Sequence, residues 1–265
     1  MRPSLGVSDG RNGLLFHCFA GCKPLDIIAA LNRLNLDTRD SPSPATRPTS
    51  PKTPGKTTTA LARRLWASGE KTVGTPAETY LRARRFTEQP PPTIRFLRSY
   101  RYDRASGLRL PCLMAAVQSP TREIVAVQLT FLDPSGRRKA DVPYPRRAVG
   151  PLGEGLLRTA PAAPHIGIAE GFETAWAASL MHDRLPVWAT LGRDRFPVIV
   201  LPEIVRRVTV FADHDAPGLA SSLAYFEQHS ELEIDLCFPA TPGFDFARLW
   251  EDAHTSEPAA SLTPA

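Results

Sequence analysis

The stretch that most constrains the fold is V-T-V-F-A-D-H-D-A-P-G, residues 208–218. Its short apolar, β-branched run predicts a buried strand, and the proline and glycine that follow open a predicted helix. Asp213 and Asp215 lie two positions apart at the end of the strand, and side chains at that spacing point the same way in an extended chain. The two carboxylates should therefore converge at the carboxyl end of a strand, where open α/β sheets build their sites.

The acids at this strand end indicate a divalent-cation site. Two carboxylates this close repel each other unless a cation lies between them, and hard oxygen ligands suit Mg²⁺. The alternative is that Asp215 caps the following helix while Asp213 is a solvated loop acid. A second stretch, H-I-G-I-A-E-G-F-E-T-A at residues 165–175, has the same plan, with Glu170 at its strand end. The two turns together predict a cluster of three carboxylates, from Glu170, Asp213 and Asp215.

These two acidic turns resemble the Toprim domain, and the match is best to the Toprim domain of phage- and plasmid-type primases and primase-helicases. The resemblance is carried by E-G-F-E-T-A, then A-D-H-D-A-P-G, then P-G-F-D-F-A-R-L at residues 242–249. Gly243 and Asp245 match the family's closing segment, whereas Phe244 stands where a lysine is common. The residues that the resemblance marks as catalytic and as ligands of Mg²⁺ or Mn²⁺ are Glu170, Asp213 and Asp215, with Glu173 and Asp245 as secondary candidates.

The resemblance implies a nucleotidyltransferase that makes short RNA primers from nucleoside triphosphates on a single-stranded DNA template. In that chemistry the acids hold one or two ions, and a 3′-hydroxyl displaces pyrophosphate from the α-phosphate in line. Glu170 is either a metal ligand or a general base. A Toprim nuclease and a non-catalytic DNA-binding accessory protein of replication stay open as alternatives. Because the chain carries no helicase ATPase motif, we expect a replicative helicase to act in trans.

The chain of 265 residues is long enough for one large or two modest domains. It has no apolar run of 18 residues and no secretory signal pattern, so we expect no membrane span. Four cysteines do not indicate a disulfide scaffold and fit a reducing cytoplasm. Cys112 and Cys237, each within an apolar stretch, are predicted to be buried thiols.

Charge is distributed unevenly along the chain. Residues 1–155 hold 25 Lys and Arg against 12 Asp and Glu, whereas residues 156–265 hold 7 against 15. A basic half beside an acidic half is expected of a polyanion-binding module next to a cation site. The alternative is that the basic residues only keep a Pro- and Arg-rich stretch soluble.

Residues 1–36 are predicted to form a separate first unit. Two short strands joined by a turn at residues 8–13 lead into Cys18 and Cys22, and an apolar helix follows from about residue 24. This segment resembles the second half of the zinc ribbon that precedes such primases. A structural Zn²⁺ site needs four ligands, and the family's first pair would lie before residue 3. The two thiols therefore supply half of such a site.

Two segments are predicted to lie outside the folded domains, one as a linker and one as a tail. Residues 37–58 are rich in proline and predict a disordered or polyproline-like linker, and residues 252–265 predict a frayed tail. The P-G-K-T at residues 54–57 is not a phosphate-binding loop, because Ser50 stands where its first glycine is required.

Residues 59–158 predict a small basic α+β module, similar to the segment between ribbon and Toprim domain in these primases. Two helices, the second capped by Thr75, precede three antiparallel strands. Its first arginine cluster consists of Arg82, Arg84, Arg85, Arg95, Arg98 and Arg101. The cluster interleaves with aromatics that suit stacking on single-stranded DNA, although a role in the core is favoured for those aromatics: Tyr80, Phe86, Phe96, Tyr100 and Tyr102. A second cluster is predicted to bind nucleic acid and to line the approach to the metal site: Arg137, Arg138, Lys139, Arg146 and Arg147.

Residues 159–251 predict the α/β, Rossmann-like Toprim domain. Parallel strands joined by crossover helices would form its sheet. The strands are expected at about 165–169, 186–191, 207–212 and 233–238, and the helices near 173–182 and 217–229. His214, between the two aspartates, is expected to be structural.

Overall fold

The computed structural model describes residues 5–10, 13–18, 56–214 and 232–255. Its strands are β1 (Leu5–Gly10), β2 (Gly13–Cys18), β3 (Ile94–Arg101), β4 (Arg109–Gln118), β5 (Ile124–Phe131), β6 (Arg146–Val149), β7 (His165–Ala169), β8 (Val187–Ala189), β9 (Arg207–Phe211) and β10 (Glu233–Phe238). Its helices are α1 (Lys56–Ala67), α2 (Pro76–Ala83), α3 (Phe172–Met181) and α4 (Phe246–Ala253), with a 3₁₀ helix at Arg193–Val198.

The second half of the chain forms a parallel sheet in the order β10-β9-β7-β8. The strands expected at 165–169, 207–212 and 233–238 are confirmed to within one residue, and the one expected at 186–191 is shorter. Helix α3 confirms the helix expected near 173–182. The helix expected near 217–229 lies outside the described residues. A mixed α/β architecture with a parallel sheet is therefore confirmed.

The strands of this sheet are apolar on both faces, as parallel sheets covered by helices require. Ile166 and Ile168 on one face, and Ala169 and Phe211 on the other, are fully buried. Between the two isoleucines, a Cβ on Gly167 would lie 2.5 Å from Cε2 of Phe211. Only glycine lets the phenylalanine ring of β9 pack this closely on β7.

The amino-terminal hairpin belongs to the same sheet, which differs from the separate unit expected at residues 1–36. Strand β2 pairs antiparallel with both β1 and β10, with Phe16 opposite Leu236. Because β10 would otherwise expose unpaired backbone groups, the hairpin covers that edge of the sheet. The strands also extend further than expected and leave only residues 11–12 between them. Cys18 is the last residue of β2, and Cys22 lies outside the described residues.

The basic module forms an antiparallel sheet in the order β3-β4-β5-β6, with α1 and α2 beside it. Helix α1 begins at Lys56, inside the segment expected to be a linker. Helix α2 begins as expected, because the Thr75 hydroxyl accepts a hydrogen bond from the amide of Ala77 at 3.2 Å. The Glu78 carboxylate accepts another from the Gly74 amide at 2.7 Å.

The aromatic side chains of this module belong mainly to the core. Tyr80, Phe86 and Phe96 are buried, whereas Tyr100 and Tyr102 are half-buried against Phe131. The interpretation as stacking platforms is therefore wrong for the three buried rings, whose faces no base can reach.

One hydrophobic core connects the antiparallel module with the α/β domain. The Phe86 ring stacks on Trp176 of α3 with centroids 4.4 Å apart, and on Trp250 of α4 at 5.9 Å. This contact fixes the position of the basic module relative to the parallel sheet.

Cys112 and Cys237 are buried free thiols, as expected. Burial raises the pKa of each thiol to about 12, so both stay protonated and unreactive at neutral pH. Within the described residues, no helix combines the length and the apolar character that crossing a bilayer requires.

Replacing Phe86 with alanine should lower the free energy of unfolding by about 3–5 kcal/mol, because a buried aromatic side chain is removed at the junction of the two sheets. Urea denaturation followed by tryptophan fluorescence measures this change. Val73→Ala is the control, since Val73 is 62% exposed and should change stability by less than about 0.5 kcal/mol. A loss below about 1 kcal/mol for Phe86→Ala would contradict a shared core.

Candidate active site

Glu170 and Asp213 emerge at the same edge of the parallel sheet. Strands β7 and β9 are direct neighbours, and Ala169 pairs in register with Phe211. Glu170 follows β7 directly, Asp213 lies two residues beyond β9, and both side chains are half-buried. Parallel pairing therefore brings together two acids that are 43 positions apart in the sequence.

Asp215, the third acid of the predicted cluster, lies outside the described residues. Among the residues that are described, no group of three or more His, Cys, Asp and Glu side chains is arranged to hold a metal ion. Two carboxylates are nevertheless a suitable donor set for Mg²⁺, which usually keeps several waters and adds substrate phosphates to one or two protein carboxylates. Glu170 and Asp213 thus suit a divalent ion whose coordination shell substrate phosphates and waters would complete.

The closing segment of the domain is fastened to the turn after β9. The His214 amide donates to the Phe244 carbonyl at 2.9 Å, and the Gly243 amide donates to the His214 carbonyl at 2.9 Å. Gly243 has φ +77°, a conformation that favours glycine. The Nδ1 atom of His214 lies 2.8 Å from the carbonyl oxygen of Pro239. These contacts agree with a structural role for His214, and they place Asp245 near Asp213.

A polar cavity of about 310 Å³ opens between this turn and helix α4. Its walls carry both signs of charge. The residues that line it are Arg84, Asp213, His214, Gly243, Phe244, Asp245, Arg248 and Glu251. Arg84 Nε forms an ion pair with Glu251 at 2.9 Å, and the Asp245 carboxylate caps α4 by accepting from the Arg248 amide at 2.6 Å.

The turn after β8 borders the site from the other side. The Leu191 amide donates to the Glu170 carbonyl at 2.8 Å. The half-buried guanidinium of Arg195 holds this turn in place, because it donates to the carbonyls of Gly153 at 2.9 Å and Gly155 at 2.6 Å. The segment 187–192 therefore lies beside Glu170.

Glu173, in the first turn of α3, is the centre of a charged cluster beside these acids. Its side chain is only 6% exposed. The Tyr80 hydroxyl donates to Glu173 Oε1 at 2.8 Å, and Nη2 of Arg146 lies 3.3 Å from Oε2. Nζ of Lys139 lies 3.9 Å from Oε1. Every one of these partners comes from the antiparallel module, so the cluster spans the junction of the two sheets.

The charged groups in this cluster shift one another's pKa values. Burial alone would raise the pKa of the Glu173 carboxyl, but Arg146 and Lys139 outweigh it and lower that pKa to about 2. Burial, and then the Glu173 charge, raise the pKa of the Tyr80 hydroxyl. Burial lowers the pKa of Lys139, and Glu173 opposes that shift. Glu170 is close enough to contribute to the raised pKa of Arg146.

The five basic residues predicted to bind nucleic acid separate into three groups. Lys139 and Arg146 converge on Glu173, and their side chains are 31% and 45% exposed. Arg137 and Arg138 are exposed in the turn after β5. The Arg147 guanidinium lies 5.1 Å from the Tyr102 ring centroid, where it packs on the module's own core.

Three residues at the site were not assigned to it from the sequence. Tyr80 contacts Glu173 across 93 positions, while Arg84 and Glu251 pair across the polar cavity. Arg84 belongs to the first arginine cluster, and its position at the end of α2 was the only signal. Local spacing carries no information on pairings this distant.

Comparisons with known proteins find one family model and several solved structures that resemble this chain. A domain of unknown function (DUF7146) matches residues 56–159. No curated protein matches the chain.

The solved structures that are similar to this chain include several DNA primases. A DNA primase domain from Pseudomonas aeruginosa has 14% identity and a TM-score of 0.49 over 76% of this chain and 75% of that one. The Aquifex aeolicus primase, with its zinc-binding and RNA polymerase domains, has 13% identity and 0.48 over 95% and 73%. The primase fragment of the bacteriophage T7 primase-helicase protein has 12% identity and 0.44 over 94% and 90%. Because all three TM-scores are below 0.5, we base the proposal below on this chain's own residues.

Glu173→Gln should destabilise the fold at neutral pH by an amount that falls as the pH falls. The folded-state pKa is lowered from 4.5 to about 2, so the ionised carboxylate stabilises the fold above pH 4.5 and loses that effect toward pH 2. The contribution at pH 7 is on the order of 3 kcal/mol. Urea denaturation of both proteins at pH 7, 5 and 3 measures the difference.

The matched control is Glu123→Gln, which removes an exposed carboxylate 3.1 Å from Arg63. That change should cost less than about 1 kcal/mol at every pH. A Glu173→Gln difference that stays constant from pH 7 to pH 3 would contradict the charged cluster.

Proposed function

We propose that this chain is a DNA primase-like nucleotidyltransferase of the Toprim type, which makes short RNA primers on single-stranded DNA with Mg²⁺ or Mn²⁺. The observation that carries the proposal is the shared sheet edge of Glu170 and Asp213, with Lys139 and Arg146 beside it. Phosphoryl transfer requires two kinds of group: acids that can hold a divalent ion, and cations that can bind phosphate oxygens.

Each group at the site has a distinct task in this scheme. Glu170 and Asp213, joined by Asp215, would hold the ion, and Glu170 is alternatively the base that takes the proton of the attacking 3′-hydroxyl. A bound Mg²⁺ or Mn²⁺ would neutralise charge on the triphosphate and orient the attacking oxygen. Lys139 and Arg146 would bind the phosphates as charge-assisted donors. Asp245 contributes to the cavity as a secondary acid.

The distribution of charge supports a single-stranded nucleic acid as the partner. The exposed Arg137 and Arg138 lie in the loop that leads into the strand with Arg146, so a nucleic-acid backbone bound there would lead toward the acids. We propose nucleoside triphosphates as substrates, a replicative helicase acting in trans and a cytoplasmic location. Cys18 and Cys22 stay proposed as half of a Zn²⁺ site.

Asp213→Asn and Glu170→Gln should each reduce Mg²⁺-dependent nucleotide incorporation by at least about 100-fold, because each removes a charge at the reacting centre. The assay is extension of RNA on labelled single-stranded DNA with all four nucleoside triphosphates, and circular dichroism checks the fold. The matched controls are the half-buried Asp103→Asn and the exposed Glu203→Gln, which should retain activity.

Full incorporation by the double variant would discard this site. The same assay separates the alternatives. Shortening of the labelled DNA with Mg²⁺ alone would indicate a nuclease. Normal DNA binding without any catalysis, under either metal, would indicate an accessory protein.

Arg137→Ala with Arg138→Ala should weaken binding to single-stranded DNA and make it less dependent on salt. The slope of log K against log salt concentration should become shallower by about 0.7 for each phosphate of a single strand that the variant no longer neutralises. Fluorescence anisotropy with a labelled oligonucleotide at several salt concentrations measures the slope. Arg184→Ala is the control, because Arg184 lies after α3, outside the two basic clusters, and its guanidinium is paired with Glu88. An unchanged slope in the double variant would show that these arginines do not bind the DNA backbone.

A further inference from the structure

We propose that Glu173 is a positioning residue whose buried carboxylate, oriented by Tyr80, holds Lys139 and Arg146 in place to bind the triphosphate of the substrate. This inference rests on the proposed function, since it takes a nucleoside triphosphate as the ligand of the two cations. It replaces the secondary assignment of Glu173 as a metal or catalytic acid.

The oxygens of Glu173 are already engaged by the protein. Oε1 accepts from Tyr80 at 2.8 Å, and Oε2 accepts from Arg146 at 3.3 Å. The side chain is 6% exposed and Lys139 Nζ lies 3.9 Å away. A metal ion at these oxygens would displace a hydroxyl and two cations from a buried position. The chemistry of the neighbours therefore favours a role toward the cations over a role toward a metal.

The two cations keep donors for a second anion. Only Nη2 of Arg146 contacts Glu173, and a guanidinium carries five N–H donors. Lys139 carries three N–H donors. Both side chains are partly exposed, at 45% and 31%, whereas Glu173 beneath them is buried. The carboxylate thus supports the two cations from the protein side and leaves their other donors facing outward.

Tyr80 orients the carboxylate of Glu173. It lies on α2 of the antiparallel module and is buried, while Glu173 lies on α3, three positions after Glu170. A buried carboxylate costs several kcal/mol unless hydrogen bonds and charges compensate it. The hydroxyl fixes the orientation of the carboxylate, whose Oε1 and Oε2 lie 3.4 Å and 3.3 Å from Nη2 of Arg146. Long, flexible Lys and Arg side chains lose less entropy on binding phosphate when they are held beforehand.

The charges that face Lys139 come from four elements. They are Glu173 on α3, Arg146 on β6, Arg84 after α2 and Asp245 before α4. Burial and the two arginines lower the Lys139 pKa, whereas the two acids raise it. Neutralising Glu173 would therefore lower the pKa of Lys139 further, and the lysine would lose its proton at lower pH.

The decisive test is the binding of inorganic triphosphate to the full chain by isothermal titration calorimetry at pH 7. Glu173→Gln should weaken binding about tenfold, because misplaced charge-assisted donors no longer reach the phosphate oxygens. A mere change in net charge predicts the opposite sign, since removal of a negative charge favours an anion. Tyr80→Phe should weaken binding less, in the same direction. Glu123→Gln is the matched control and should change nothing.

Kinetics give a second measurement in the holoenzyme. Glu173→Gln should raise KM for the nucleoside triphosphate more than it lowers kcat, and the alkaline limb of kcat/KM should move to lower pH. Glu173→Asp keeps the charge, so it should keep that limb in place. Unchanged or tighter triphosphate binding by folded Glu173→Gln and Tyr80→Phe would overturn the inference. If the wild type binds triphosphate and Glu173→Gln weakens that binding, but the wild type incorporates no nucleotide, the proposed function fails while the positioning role stands.

Discussion

The rest of the site depends on the parallel pairing of β7 with β9. That pairing fixes Ala169 opposite Phe211, and the two acids that follow these strands must then leave the sheet at one edge. The close packing at Gly167 holds the strands together, since any larger residue would meet the Phe211 ring. Backbone hydrogen bonds from Leu191 and from His214 then attach the neighbouring turns to the acids. The proposed cation site is thus a consequence of strand register.

Opposite charges from two layers meet at this edge. The basic module supplies Tyr80, Lys139 and Arg146, and the α/β domain supplies Glu173 and the acids beside it. Each layer alone would leave charges without partners. The buried carboxylate of Glu173 would pay an uncompensated desolvation cost, and the two cations would lack an anion. The aromatic stack of Phe86 with Trp176 and Trp250 keeps the layers in register. Packing and electrostatics therefore support the same junction.

Much of this arrangement can be predicted from local sequence. The apolar runs predict β7, β9 and β10, the Thr75 cap predicts the start of α2, and apolar surroundings predict the burial of Cys112 and Cys237. The repeated plan of strand, acid and helix places Glu170 and Asp213 at one edge. These features are local, because periodicity and capping are set by residues within a few positions of one another.

The remaining features depend on distant pairings. No spacing rule predicts that β2 pairs with β10, or that the Tyr80 hydroxyl reaches Glu173. The same alternation of arginine and aromatic residues is compatible with a nucleic-acid surface and with a core, and burial decides for the core at Phe86. Lys139 and Arg147 stand in one basic cluster in the sequence, yet the fold directs one to Glu173 and the other to Tyr102.

The sharing of one divalent ion by Glu170 and Asp213 is tested most directly by anomalous diffraction from crystals soaked in Mn²⁺. We expect an anomalous peak within ligand distance, about 2 Å, of carboxylate oxygens from both residues. No peak at this edge, or a peak confined to the Asp245 and Glu251 side of the cavity, would contradict it.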